Sequence, residues 1–384
     1  MKRYKALVAV CCAAAMLLAG CGGKKEEEKE KALDDIKGEI KDYSFSEHDN
    51  LTFDCTPEPI EAEEVYILTT RSAKSKSCDE TTKQELKKYI DLLYGTSVDV
   101  RDMEYSFELT EQELETGEMD ESIERFNISV ELAADPGGAL IAANNSFIAS
   151  DFSEYEYGGD KGFKTGTLYL PEALPENSFE MYDGSRMTAD EAVSQASGYI
   201  SKIAPLFNEG SSYRLKRVFV EDHPGKGAVF DLRFEHVFYG LPVNDAGFDL
   251  IRDGERFAHA PYIEVKLLGR DHLGRINNSH YDLIEGKERV DKLITLAEAE
   301  RLASENIAPY ITGTVKEAAL EYVCVTAQGE DVHTYRPMWC FTLDDLPPRL
   351  DSMELFPRRM IFVDAVSGAT YYSDHGSFLF AAHE

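Results

Sequence analysis

The sequence predicts an α+β protein: an N-terminal α+β domain, then two repeats that each run a helix into an antiparallel meander. Three observations predict it. Thirteen residues, Thr188 to Ile200, line up with Thr295 to Ile307 at six identical positions. Strand periodicity follows each copy. In the first, Phe230, Leu232, Phe234, His236 and Phe238 alternate with Asp231, Arg233, Glu235 and Val237, which gives one buried face. The half of the chain before these repeats mixes an amphipathic helix with short alternating strands. The chain has 384 residues, enough for two or three such units and a large core.

The elements follow in order. Lys2, Arg3 and Lys5 precede an apolar run from Ala6 to Leu18. Thirteen residues fall short of the roughly 20 that span a bilayer as a helix, so residues 1–20 read as a signal peptide. The run ends in Leu18-Ala19-Gly20-Cys21, which resembles a bacterial lipoprotein lipobox. The resemblance implies cleavage before Cys21 and a diacylglycerol on its sulfur. It places the protein on the extracytoplasmic face of the cell membrane, held through that lipid. Residues 21–50 read as the lipidated cysteine and a charged tether, because 14 of the 19 residues from Lys24 to Asp42 are Lys, Glu or Asp.

Residues 51–180 read as a separate domain. Val65–Thr69 is a strand, and Glu80–Leu93 is a helix with Leu86, Ile90 and Leu93 on one face and Gly95 as a stop. Met103–Leu109 and Phe126–Leu132 alternate as strands around an acidic connection, Glu111 to Glu121. Residues 181–288 and 289–384 are the repeats. Each opens on a capping box, Thr188 with Glu191 and Thr295 with Glu298. Ala192, Ala196 and Ile200 share a helix face, as do Ala299, Ala303 and Ile307. Each meander enters a glycine turn, Gly269 to Gly274 and Asp364 to Gly368. Strand order within a repeat is not readable from the sequence, so a Greek-key or sandwich arrangement stays open.

The segment Ile361-Phe-Val-Asp-Ala-Val-Ser-Gly-Ala-Thr-Tyr371, behind a capped helix and strands, resembles a PepSY domain. Phe238-Tyr-Gly-Leu-Pro-Val243 is similar to the Gly-x-Pro-Val hairpin of the PepSY-like YycH and YycI regulators. The resemblance covers about residues 187 to 375. It implies extracytoplasmic interaction modules that regulate or inhibit a partner, and it brings no catalytic residues.

Of seven cysteines, Cys11 and Cys12 leave with the signal and Cys21 takes the lipid. Cys55, Cys78, Cys324 and Cys340 remain. The simplest disulfides are 55–78 and 324–340, each inside one domain; buried thiols are the alternative. There is no C-x-x-C in the mature chain, no H-E-x-x-H, no G-x-S-x-G and no Walker loop. The acids of Asp151 to Asp160 lack EF-hand spacing and read as a solvated loop. His236 and Trp339 read as core. No metal or cofactor is implied.

Seventy-one Asp and Glu against 40 Lys and Arg give a net charge of −31, and removing the three positive charges of residues 1–20 takes this to −34. Such acidity excludes nucleic acid as a partner. It leaves basic partners open. The leading expectation is a lipid-anchored, non-enzymatic protein that engages an extracytoplasmic protein partner. The alternative is a surface lipoprotein that binds a small ligand or a cation in a cleft between the repeats. A hydrolase without a recognisable motif stands third.

Overall fold

The computed structural model describes residues 29–71, 166–244, 262–279, 283–307, 311–327, 332–343 and 359–373. It also describes strands at 103–107, 126–131, 138–143, 146–151, 250–252 and 255–257, and helical residues 84, 88 and 91–93. The chain is α+β. It begins with β1 (Glu30–Lys31), α1 (Leu33–Ile40), β2 (Leu51–Phe53) and β3 (Tyr66–Arg71). Then come β4 (Met103–Phe107), β5 (Phe126–Glu131), β6 (Gly138–Ala143), β7 (Ser146–Asp151), β8 (Gly166–Tyr169), β9 (Ser178–Glu180) and β10 (Arg186–Thr188).

The first helix-plus-meander unit opens with α2 (Ala189–Ile203), β11 (Ser211–His223), β12 (Gly227–Phe238) and β13 (Leu241–Pro242). It continues with β14 (Leu250–Arg252), β15 (Glu255–Phe257), β16 (Tyr262–Gly269) and β17 (His272–Ser279). After β18 (Leu283–Arg289) and β19 (Leu293–Ile294), the second unit holds α3 (Leu296–Asn306), β20 (Gly313–Ala327), β21 (Val332–Leu343), β22 (Met360–Asp364) and β23 (Thr370–Ser373).

Two large sheets carry the fold. The first runs β4-β5-β6-β7-β17-β16-β12-β11-β8, with β13 beside β12. The second runs β14-β15-β20-β21-β22-β23; β2 pairs with β20, and β3 joins β18 to β21. In both, four successive strands pair antiparallel behind a helix: β11, β12, β16, β17, and then β20, β21, β22, β23. Each helix lays its small apolar face on its own meander. Ala192, Ala196, Ile200 and Ile203 are buried with Phe230, Leu232, Val265 and Leu267. Leu296, Ala299, Ala303 and Ile307 are buried with Leu320, Tyr322, Trp339, Phe341 and Ile361. Alanine at the contact lets the helix axis come close to the sheet. Trp339 is core, fully buried, and its indole N–H donates to the Ile294 carbonyl at 2.9 Å.

The caps differ in one detail. Thr188 makes the full reciprocal box with Glu191, whereas Thr295 only accepts from the Glu298 N–H. The Thr295 N–H instead donates to the Lys29 carbonyl at 3.0 Å, because β1 pairs with β19 just beside it. The turns differ too. Gly368 takes the positive φ of the second turn, at 76°, while in the first it falls on Asp271, at 59°. Gly269 is small for another reason: a side chain there would run into the Asp183 carboxylate.

Two domain boundaries shift. The described strands of residues 51–180 do not form a sheet of their own. β2 and β3 extend the second sheet, and β4 to β8 extend the first. The physical reason is that each meander leaves open strand edges, and the preceding chain pairs with them. The segment 21–50, expected as a tether, is folded from Lys29 onward. Ile36 and Ile40 stand four apart on α1 and are both buried in the second core. Tyr43 Oη, the Ser46 N–H at 2.7 Å and His48 Nε2 at 2.6 Å then converge on the buried carboxylate of Glu300 on α3.

The two units are joined where β12 turns into β13. Tyr239 and Gly240 both have positive φ, 49° and 86°, the backbone of a tight hairpin. A Cβ at Gly240 would sit 2.7 Å from Ala62 Cα, so only glycine fits against that chain. On either side of the turn, Phe238, Leu241 and Val243 belong to the second core. Val243 bridges Tyr322, and the Asn244 N–H donates to the Tyr322 carbonyl at 2.8 Å.

Candidate binding cleft

The hairpin that joins the units holds β11 of the first opposite β20 of the second. Between them lies a cleft of about 550 Å³. Arg214, Lys216 and Arg217 line one wall with Glu235; Glu317, Glu321, Thr342 and Met360 line the other. Glu58, Pro59 and the Leu168–Glu172 stretch complete the rim.

The first wall is built by a bulge. β11 and β12 lose register between Leu215 and Arg217, so Lys216 is the extra residue. That places two cations on one carboxylate. Arg214 reaches Glu235 Oε1 at 2.5 Å and Lys216 Nζ reaches Oε2 at 3.0 Å. Arg214 also lies 3.7 Å from Glu58. The Glu235 side chain is only 1% exposed, whereas Arg214 and Lys216 are 45% and 28% exposed, so the carboxylate is buried and its cations face solvent.

Glu321 dominates the second wall. It is 5% exposed, and Asn244 Nδ2 donates to its Oε2. Burial pushes its pKa up to about 7; Lys216 acts against this, while Glu235 and Glu58 add to it. The carboxyl is thus poised between protonated and charged near neutral pH. Cys340 lies beside it, and burial first, then Glu321, pushes its thiol well above the usual range.

A second polar cluster sits further up the same face of the first sheet. Lys266 Nζ lies 2.9 Å from Glu221 Oε1 and 3.0 Å from Asp231 Oδ2, with all three buried. Burial opposes the charge on Lys266, but Asp231, Glu221 and Glu264 together hold it ionised. Burial pushes Asp231 upward. Arg233 stacks over the Tyr262 ring at 3.7 Å. The β12 strand, expected to bury one face, therefore buries both. Its second face is tolerated because its charges are paired across neighbouring strands.

The sequence-expected site residues are dispersed. Cys21, Cys78, the acidic run 111–121 and residues 152–165 lie outside the described residues. Cys55 is half-buried and is a free thiol; burial, then Asp54 and Glu317, pushes it to about 11. Cys324 and Cys340 do not bridge each other. Cys324 sits opposite Tyr335, whereas Cys340 sits opposite Ala319. That five-residue offset is about 17 Å along the strand, against an upper limit near ~7 Å for bridged Cα atoms. The two thiols also belong to cores on opposite faces of the sheet. His236 is core: its ring stacks on Tyr213 at 4.5 Å, and burial pushes its pKa down to about 3.

The cleft residues Arg214, Lys216, Glu235, Asn244 and Glu321 were not singled out by the sequence. Their common signal, charges at positions that alternate with a strong apolar face, was visible only on β12. Pairing them across β11 and β20 required the register.

The fold has a solved counterpart. It is similar to the crystal structure of an uncharacterized protein from Eubacterium rectale ATCC 33656, with a TM-score of 0.53 and 12% sequence identity. The match covers 88% of this chain and 98% of that one. At that identity the likeness bears on the fold alone. No family model and no curated protein matches the chain.

Proposed function

We propose that the chain is a lipid-anchored, extracytoplasmic interaction protein without catalytic activity, and that it engages a protein partner at the cleft between its two meanders. The cleft carries the proposal: a cavity of about 550 Å³ is lined from both units, and its size, within the ~300–1,000 Å³ of small-molecule pockets, can take a side chain of a docked partner. Leu170, 43% exposed, stands on its rim, where a docked chain would cover it. The lipobox Leu18–Cys21 supports the anchor, and the PepSY-like segment 361–371 supports an interaction role. A diacylglycerol supplies the two chains that stable membrane attachment requires.

Crosslinking in intact cells, followed by recovery of the protein, tests the whole reading. A single dominant partner should appear, and Cys21→Ala should move the protein out of the membrane fraction and lose that partner. Membrane retention of Cys21→Ala, or hydrolase turnover abolished by one substitution, would overturn it. A small ligand or cation in the same cleft is the second reading, favoured by the sheltered carboxyl of Glu321.

A further inference from the structure

We infer that the cleft is a receptor for a lysine or arginine side chain: an ammonium or guanidinium group directed at Glu321, with its aliphatic stem along Leu168, Leu170 and Met360. The inference rests on the reading of the cleft as the recognition site and adds the chemistry of what enters it.

The lining is the first ground. Glu58, Glu172, Glu235, Glu317 and Glu321 face Arg214, Lys216 and Arg217, five carboxylates against three cations. Arg214 and Lys216 are already engaged by Glu235. The wall formed by the first unit carries three cations and one carboxylate, whereas the β20 wall and the rim carry four carboxylates and no lining cation, so the negative excess lies there. An incoming anion would meet that excess; an incoming cation would complete it.

The placement of Glu321 is the second ground. Its carboxyl is nearly sealed from water yet lines the cavity. The groups facing it are Lys216 and Arg214 on β11, Glu235 on β12, Cys340 on β21, Glu58 and Asn244. Asn244 satisfies one oxygen. A buried carboxyl at the edge of ionisation is stabilised as the anion by a new cation at hydrogen-bond distance. Binding should then drive a proton off Glu321.

The apolar lining is the third ground. Leu168, Leu170, Pro59, Pro171 and Met360 offer a surface that a bare metal ion could not use. An alkyl stem can, while its charged head reaches the acids.

The test is calorimetric titration of the full-length chain in detergent at pH 7. The probes are capped Ala-Lys-Ala, the same peptide with Nε-acetyl-lysine, and cadaverine. The lysine peptide should bind about tenfold or more tighter than its acetylated form. Its heat should vary with buffer ionisation enthalpy, reporting proton release. Glu321→Gln, which keeps an acceptor for Asn244, should weaken the lysine peptide about tenfold and abolish the proton release. Glu317→Gln serves as a second variant on the same wall if the first fails to fold.

Equal affinity for the acetylated peptide, or unchanged binding by folded Glu321→Gln, overturns the inference. If that equal binding is still lost on Leu170→Glu, the cleft reading stands without it. Cadaverine binding as tightly as the peptide overturns the peptide source in favour of a free diamine. No binding of any probe, with partner capture insensitive to Leu170→Glu, overturns both.

Discussion

Glu321 and His236 give the protein opposed pH dependences. Glu321 has a folded pKa near 7, above its ordinary 4.5, so the folded state holds a proton that the unfolded chain has lost. Stability therefore falls as pH rises from about 4.5 to 7. His236 is depressed to about 3, so the unfolded chain binds the extra proton, and stability falls as pH drops below about 6.5. Glu321→Gln should flatten the first limb and gain up to ~3 kcal/mol at pH 8, since each tenfold change in proton affinity is worth ~1.4 kcal/mol. Urea denaturation at pH 5 and pH 8 measures it; an equal gain at both would refute the assignment. Lys266→Met should cost ~3–5 kcal/mol, because Glu221 and Asp231 stay buried without their cation. Adding Glu221→Gln and Asp231→Asn should recover much of that loss. Single residues of this kind were barely legible in the sequence. His236 and Trp339 could be placed in the core from strand alternation alone. Glu321 could not, since it reads as the polar partner of Tyr322 until the opposing wall is known.

Among the elements, the capped helices were the most legible, because a cap and an apolar face are local signals. Thr188→Ala should cost about 1 kcal/mol, read as a lower thermal midpoint, and Thr295→Ala a similar amount. The copies differ at one telling position. Val193 of α2 aligns with Glu300 of α3, and Glu300 is 2% exposed. A charge on an otherwise apolar helix face was the signal that another segment docks there. Its donors, at 43–48, lie some 250 residues away in sequence, which is why the segment read as a tether. Glu300→Ala should release that segment at a cost on the order of 2–3 kcal/mol. Limited proteolysis should then cut between residues 41 and 50, where the parent chain resists.

Across the molecule, the α+β class was readable and the partition was not. Helices and strands announce themselves over ten residues, whereas sheet membership depends on pairings hundreds of residues apart. β3 at residues 66–71 pairs with β18 and β21, and β8 at 166–169 pairs with β11. The cysteine pairing failed for the same reason: Cys324 and Cys340 are on neighbouring strands, but out of step and on opposite faces. Mass spectrometry of the alkylated, non-reduced protein should find both as thiols.

The pairing of Glu30 and Lys31 with Ile294 and Leu293 sets a length. With the lipid proposed on Cys21, eight peptide steps separate the anchor from folded chain at Lys29. At roughly 3.5 Å a step that is at most ~28 Å, comparable to the radius of the body itself. Under that proposal the protein is moored on a short line, not floated on a long one. Its repulsion from an anionic bilayer, screened within ~8 Å at physiological salt, can tilt the body but cannot carry it away. Under the same proposal, a partner would meet the protein within about a molecular diameter of the lipid.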